Sequence, residues 1–74
     1  MRLKELREEY DYKQEHLAQQ LGVKQNAYSQ YETGKRQIPL DALIKLAKLY
    51  DVSVDYILEL TDEEKPYPRK ENKK

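Results

Sequence analysis

An all-α fold of five short helices is what this chain predicts, and three observations predict it. Apolar residues recur at spacings of three and four through most of the first 60 residues. Gly22 and Gly34 follow directly on two such stretches, where a helix commonly ends in a left-handed residue. No stretch reads as a strand. At 74 residues the chain makes one small domain, which buries only about 60 % of its unfolded surface. Its helices must pack economically, and no room is left for a second effector domain.

Leu3, Leu6 and Tyr10 predict a first helix over residues 2–10, and Leu17, Ala18 and Leu21 a second over 14–21. Residues 24 or 25 to 32 form a third, stopped at Gly34. Pro39 suits the first turn of a fourth helix, which tolerates a missing N–H. Leu40, Leu43, Ile44, Ala47 and Tyr50 then make one apolar stripe and Leu46 and Leu49 a second. A helix apolar on two sides is expected at the buried centre of a bundle. Ser53 is an N-cap for a fifth helix over 54–60, with Val52 and Ile57 placed as a hydrophobic staple. From Thr61 onward TDEEKPYPRKENKK is charged, carries two prolines and is nearly free of apolar residues. It cannot offset its own ordering entropy, so residues 61–74 are expected to be a disordered tail. Its basic end reads as solubilising, or as an arm that grips a polyanion.

Composition removes several function classes. There is no cysteine, and one histidine cannot build a metal centre. Nothing resembles a leader or a membrane span, which leaves the cytoplasm as the expected location. No glycine-rich phosphate loop, nucleophile with its base or cavity-sized core is evident, so neither catalysis, nor a cofactor, nor a small-molecule ligand is expected. The formal charge is zero, yet its distribution is uneven. Residues 12–36 hold Lys13, Lys24, Lys35 and Arg36 against Glu15 and Glu32, whereas residues 37–64 hold Lys45 and Lys48 against seven acids. That polarity permits one face to meet phosphates.

The run GVKQNAYSQYETGKR, residues 22–36, carries a cluster of neutral amides. At about 100° per residue, Ala27, Tyr28 and Tyr31 fall on one side of a helix and Gln25, Asn26, Ser29 and Gln30 on the other. The first set should face the core. The second is a surface of groups that both donate and accept, and an amide forks onto adenine N6 and N7 in a major groove about 12 Å wide. For a lone helix, plain solvation would explain such residues equally well. Here an eight-residue helix, a short turn with glycine and a second helix give the spacing of a helix-turn-helix.

The segments LAQQLGVKQNAYSQYETGKR and LIKLAKLYDVSVDYIL, within residues 2–58, resemble the Cro/cI-type helix-turn-helix family of bacterial and phage repressors. The resemblance implies a five-helix lambda-repressor-like domain over residues 1–60 that binds double-stranded DNA and regulates transcription, as a homodimer in a bacterial or phage setting. It implies base contacts from Lys24, Gln25, Asn26, Ser29 and Gln30. It implies phosphate contacts from Gln14 at the start of the second helix, from Lys35 and Arg36, and from Lys13, Arg7 and the Tyr28 hydroxyl. Arg7 and Glu32 match residues that pair between the first and third helices of relatives. His16, where relatives usually have glutamate, reads as a solvated residue.

Lys13 and Lys24 depart from the family, which most often has serine or threonine there. A lysine forgoes a cap worth about 1 kcal/mol and adds like charge to the positive helix end. Either these lysines serve a bound complex, or they are tolerated at a local cost. For assembly, one motif reads few base pairs, so two copies about 34 Å apart on a palindrome are expected. Val54, Tyr56, Ile57, Leu58 and Leu60 are the expected dimer patch, with core packing as the alternative for Val54, Ile57 and Leu58. An antitoxin or other partner-binding regulator of the same fold is the rival reading. Amide-rich contacts favour some A·T content in the site.

Overall fold

The computed structural model describes residues 1–65 and is helical, with no strand among the described residues. Its elements are α1 (Leu3–Glu9), α2 (Gln14–Leu21), α3 (Gln25–Thr33), α4 (Leu40–Tyr50) and α5 (Val54–Ile57). The five-helix, all-α class read from the sequence is the one found. Every helix contributes to one core: Leu3 and Leu6, Leu17 and Ala18, Tyr28 and Tyr31, Leu43, Leu46, Ala47 and Tyr50, and Ile57, with Ile38 and Val52 from the connections.

Four of the five helices end on one device. Val23 N–H donates to the Ala18 carbonyl at 2.9 Å and Gly22 N–H to Gln19 at 3.1 Å, while Gly22 sits at φ 69°. This Schellman closure satisfies two orphan carbonyls of α2 and drops an apolar residue, Val23, back onto the bundle. The same pair of bonds closes α1 around Asp11 (φ 58°), α4 around Asp51 (φ 56°) and α5 around Glu59 (φ 63°). Aspartate visits this region at modest cost; glutamate does so less readily. Glu59 therefore ends α5 at Ile57, not at residue 60 as expected, because Leu60 N–H turns back to the Asp55 carbonyl at 2.8 Å.

Ser53 caps α5 as expected, its Oγ accepting from Tyr56 N–H at 2.9 Å, with Val52 and Ile57 both buried beside it. Pro39 is the N-cap of α4 and not its first residue. One α4 expectation is corrected: Leu40 is 67 % exposed and Ile44 40 %, so the first apolar stripe only half faces the core. The amino-terminal residues strap the far end of the bundle. Arg2 N–H donates to the Ile57 carbonyl at 2.8 Å, Arg2 Nε to the Tyr56 carbonyl at 2.9 Å, and its guanidinium lies 4.4 Å from the Tyr56 ring centre. Arg2 also pairs with Asp62 at 3.1 Å. Residues 61–65 are irregular, and the expected tail beyond them, residues 66–74, lies outside the described residues.

Between α1 and α3, Arg7 Nε and Glu32 Oε2 stand 2.6 Å apart, and Arg7 Nη2 reaches Glu32 Oε1 at 3.3 Å. The Glu32 side chain is 3 % exposed. Gln14 Nε2 donates to the same carboxylate at 3.0 Å, and Arg7 Nη1 donates to the Tyr12 carbonyl at 3.1 Å. Burial alone would raise the Glu32 pKa, but the hydrogen bonds from Arg7 and Gln14 and the Arg7 charge outweigh it and hold the carboxyl below its ordinary value. The expected α1–α3 pair is therefore present, and it recruits the start of α2.

Two measurements test this architecture. In urea denaturation, Gly22→Ala loses about 1 kcal/mol, the cost of a side chain in the left-handed region. Steric clash adds nothing, since a Cβ there meets open space. Arg7→Met and Glu32→Leu each lose about 3 kcal/mol by stranding a buried charge, while the double variant recovers most of it. Because the folded-state pKa of Glu32 is lowered, its contribution is complete above the unfolded value and is lost as pH falls through the folded one. Glu32→Gln thus flattens the stability profile on the acid side of about pH 4.5, near the unfolded carboxylate pKa.

Candidate nucleic-acid interface

The site is built on α2, the turn of residues 22–24 and α3. Tyr28 is fully buried and Tyr31 is 5 % exposed, their rings meeting edge to face at 6.3 Å. The two inward rings give α3 its core-facing side. Lys24, Gln25 and Asn26 are consequently exposed, and Ser29 and Gln30 half-buried along its flank. The expected division into an aromatic inner face and an amide outer face is what the structure has, except that Ala27 is half-buried and not in the core.

Lys13 and Lys24 occupy the N-cap positions of α2 and α3, both in extended backbone and neither making a side-chain cap bond. The first turns of both helices thus lack a side-chain cap and stand beside an exposed lysine, a fit for anions. Beyond α3, Arg36 N–H donates to the Gln30 carbonyl at 3.2 Å. That bond folds the loop back along α3, so exposed Arg36 joins Lys24, Asn26 and Gln30 around one concave surface. Lys35 is exposed beside it. Of the expected DNA-contacting residues, Lys24, Asn26, Gln30 and Arg36 line that surface together.

Four sequence-based expectations need correction. Tyr28 cannot contact a phosphate, because its hydroxyl is buried. It makes no hydrogen bond of good geometry, although burial first and the nearby Glu32 carboxylate second raise its pKa, so it stays neutral. Arg7 directs its guanidinium donors at Glu32 and the Tyr12 carbonyl, and its side chain is 14 % exposed. It is a brace for α3, not an open phosphate ligand. Ile57 is fully buried and cannot form a dimer patch, its place in the hydrophobic staple having turned it inward. His16 is half-buried, its ring 4.9 Å from that of Tyr12.

Gln14 is half-buried, with its amide nitrogen on Glu32. Of the expected dimer residues, Val54 and Tyr56 are half-buried, Leu58 is 36 % exposed and Leu60 72 %. Sequence reasoning missed the role of Arg36 N–H in closing the loop and the outward turn of Ala27; the alanine carries no signal that could have revealed it. Among the described residues no group of three His, Asp or Glu side chains could hold a metal ion, and no helix is long and apolar enough to cross a membrane.

Comparison with known proteins places this geometry. A family model described as Helix-turn-helix matches residues 3–57. The chain is 45 % identical over 73 residues to the uncharacterized HTH-type transcriptional regulator YobD of Bacillus subtilis, covering 99 % of this chain and 65 % of that protein. It is 44 % identical over 57 residues to the HTH-type transcriptional regulator ImmR of the same organism, covering 77 % and 45 %. It is 40 % identical over 53 residues to the cryptic phage CTXphi transcriptional repressor RstR of Vibrio cholerae, covering 72 % and 48 %. The chain thus spans between about half and two thirds of these relatives' length. No solved structure matches it at comparable significance. The matched segment runs from the first residue of α1 to the last of α5 and contains the whole amide face, and the chain belongs to the helix-turn-helix family.

Proposed function

We propose that this protein is a sequence-specific DNA-binding transcriptional regulator, a repressor, that sets α3 into the major groove of a palindromic operator as a dimer. One observation carries the reading: Tyr28 and Tyr31 are turned into the bundle while Gln25 and Asn26 stand in solvent. Such amides have no internal work to do, and their forked donor and acceptor match an adenine edge. The relatives named as transcriptional regulators, one a phage repressor, support it.

In this reading Lys24, Gln25, Asn26, Ser29 and Gln30 face bases. Lys13, Gln14, Lys35 and Arg36 meet phosphates, the last two from the loop after α3. Gln14 contributes through the N-terminus of α2, while its amide nitrogen stays on Glu32. The dimer patch is Tyr56, Leu58 and Leu60 with the edge of Val54, apolar surface that the core leaves uncovered. The protein acts in the cytoplasm, and its work is binding and not catalysis.

Selection of bound fragments from random duplex DNA tests the proposal: a palindromic sequence with half-sites one turn apart is expected, and failure to enrich any duplex would refute it. With Lys13, Lys35 and Arg36 on phosphates in each of two subunits, log K falls against log salt with a slope of about −5, from about −0.9 per phosphate. Gln30→Ala weakens the selected site by about 1–3 kcal/mol and relaxes preference at one position. Lys24→Ser raises stability by about 1 kcal/mol through a restored cap while lowering affinity; unchanged affinity would show that Lys24 does not touch DNA.

A further inference from the structure

α5 has four residues, too few for a helix to hold its own end. Its start is secured by the Ser53 cap and its inner side by buried Ile57. Its outer end is secured from the start of the chain, by Arg2. We infer that Arg2 is a positioning residue for self-association: it holds the last turn of α5 in the shape that presents Tyr56, Leu58 and Leu60 to a second copy of this chain. The inference rests on the dimer reading above and names a residue on which that surface depends without belonging to its apolar patch.

Three observations carry it. First, Arg2 completes the carbonyl account of α5. Leu58 N–H donates to the Val54 carbonyl at 3.0 Å, Leu60 N–H to Asp55 at 2.8 Å and Glu59 N–H to Tyr56 at 3.1 Å. The Ile57 carbonyl accepts from Arg2 N–H at 2.8 Å, and Arg2 Nε adds a charge-assisted bond to the Tyr56 carbonyl at 2.9 Å. Second, the guanidinium lies over the Tyr56 ring, 4.4 Å from its centre, so the aromatic member of the patch is held by the same side chain. Third, the turn so held has little else to fix it. Glu59 adopts φ 63°, a region that glutamate visits reluctantly. Leu58 and Leu60 are 36 % and 72 % exposed, so burial does not settle their positions. A loose turn would have to be ordered on association and would weaken it by that entropy. The Arg2 pair with Asp62 adds little, since the Asp62 side chain lies wholly in solvent.

The test uses the full chain. Arg2→Met keeps the backbone bond and the bulk of the stem but removes the Nε donor and the charge over the ring. Its dimer is measured by sedimentation equilibrium well below the melting temperature. With about a third of subunits keeping the turn formed, it is expected to weaken about ninefold, since both partners must be competent. Hydrogen exchange at the amides of Leu58 and Leu60 should quicken while α2 and α3 keep their protection, which separates a local role from a general loss of stability. Arg2→Lys, which returns a charge to the Tyr56 ring, should recover part of the affinity, and Asp62→Asn should leave it within about twofold. The inference is overturned if Arg2→Met associates as the parent does, or if protection falls evenly across the bundle. A parent chain that stays monomeric both in solution and on its selected duplex overturns the dimer reading and this inference with it; a dimer indifferent to Arg2 removes only the positioning role.

Discussion

The structure depends on the Arg7–Glu32 pair, a largely buried contact that has a direction and a charge on each side. Apolar side chains in the core hold α3 against the bundle but tolerate small rotations, since a ring or an isopropyl group loses little by turning a few degrees. A carboxylate that is 3 % exposed has no such freedom: it must keep its partners or bear its desolvation alone. Arg7 from α1 and Gln14 from α2 converge on it. That convergence fixes the azimuth of α3 to the start of α2, and the azimuth decides which residues of α3 reach water.

Much of this was legible because the punctuation is explicit. Gly22, Gly34, Pro39 and Ser53 mark ends through backbone rules that act within a few residues, and α2 and α3 fall where those marks put them. The Arg7–Glu32 pair was legible only by family likeness, since nothing local joins residues 25 apart. What was hidden depends on tertiary balance. Ile57 and Leu58 are adjacent and both apolar, yet one is buried and the other exposed, because neighbouring helical positions point about 100° apart. Leu40 and Ile44 carry the correct period for a core stripe, but among the described residues they stay exposed. For the interface itself, identity and exposure of the amides could be read from the wheel, whereas the returning loop and the outward Ala27 could not.

The aromatic content is entirely tyrosine: seven of them, with no phenylalanine or tryptophan. Tyr10, Tyr12 and Tyr50 gather with ring centres 5.1 to 6.1 Å apart, and Tyr10 donates its hydroxyl to the Tyr50 carbonyl at 3.2 Å. Rings at the edge of a small core thereby keep their apolar faces inside and a polar tip at the boundary. Tyr28 and Tyr50 are different. Both hydroxyls are buried without a hydrogen-bond partner, and burial raises both pKa values. Each sits in the field of Glu32, so the centre of the bundle is more polar than its residue count suggests. A small domain that tolerates this gives up some stability for a core in which shape and polarity agree on one packing.

The Arg2 strap joins the two ends of the described bundle at one corner, since the residue before α1 bonds the last turn of α5 and the segment after it. Topologically the domain is nearly a ring. A circular permutant that bridges these strapped ends and opens a new pair between α3 and α4 would keep every helix contact while cutting only the loop that holds Arg36.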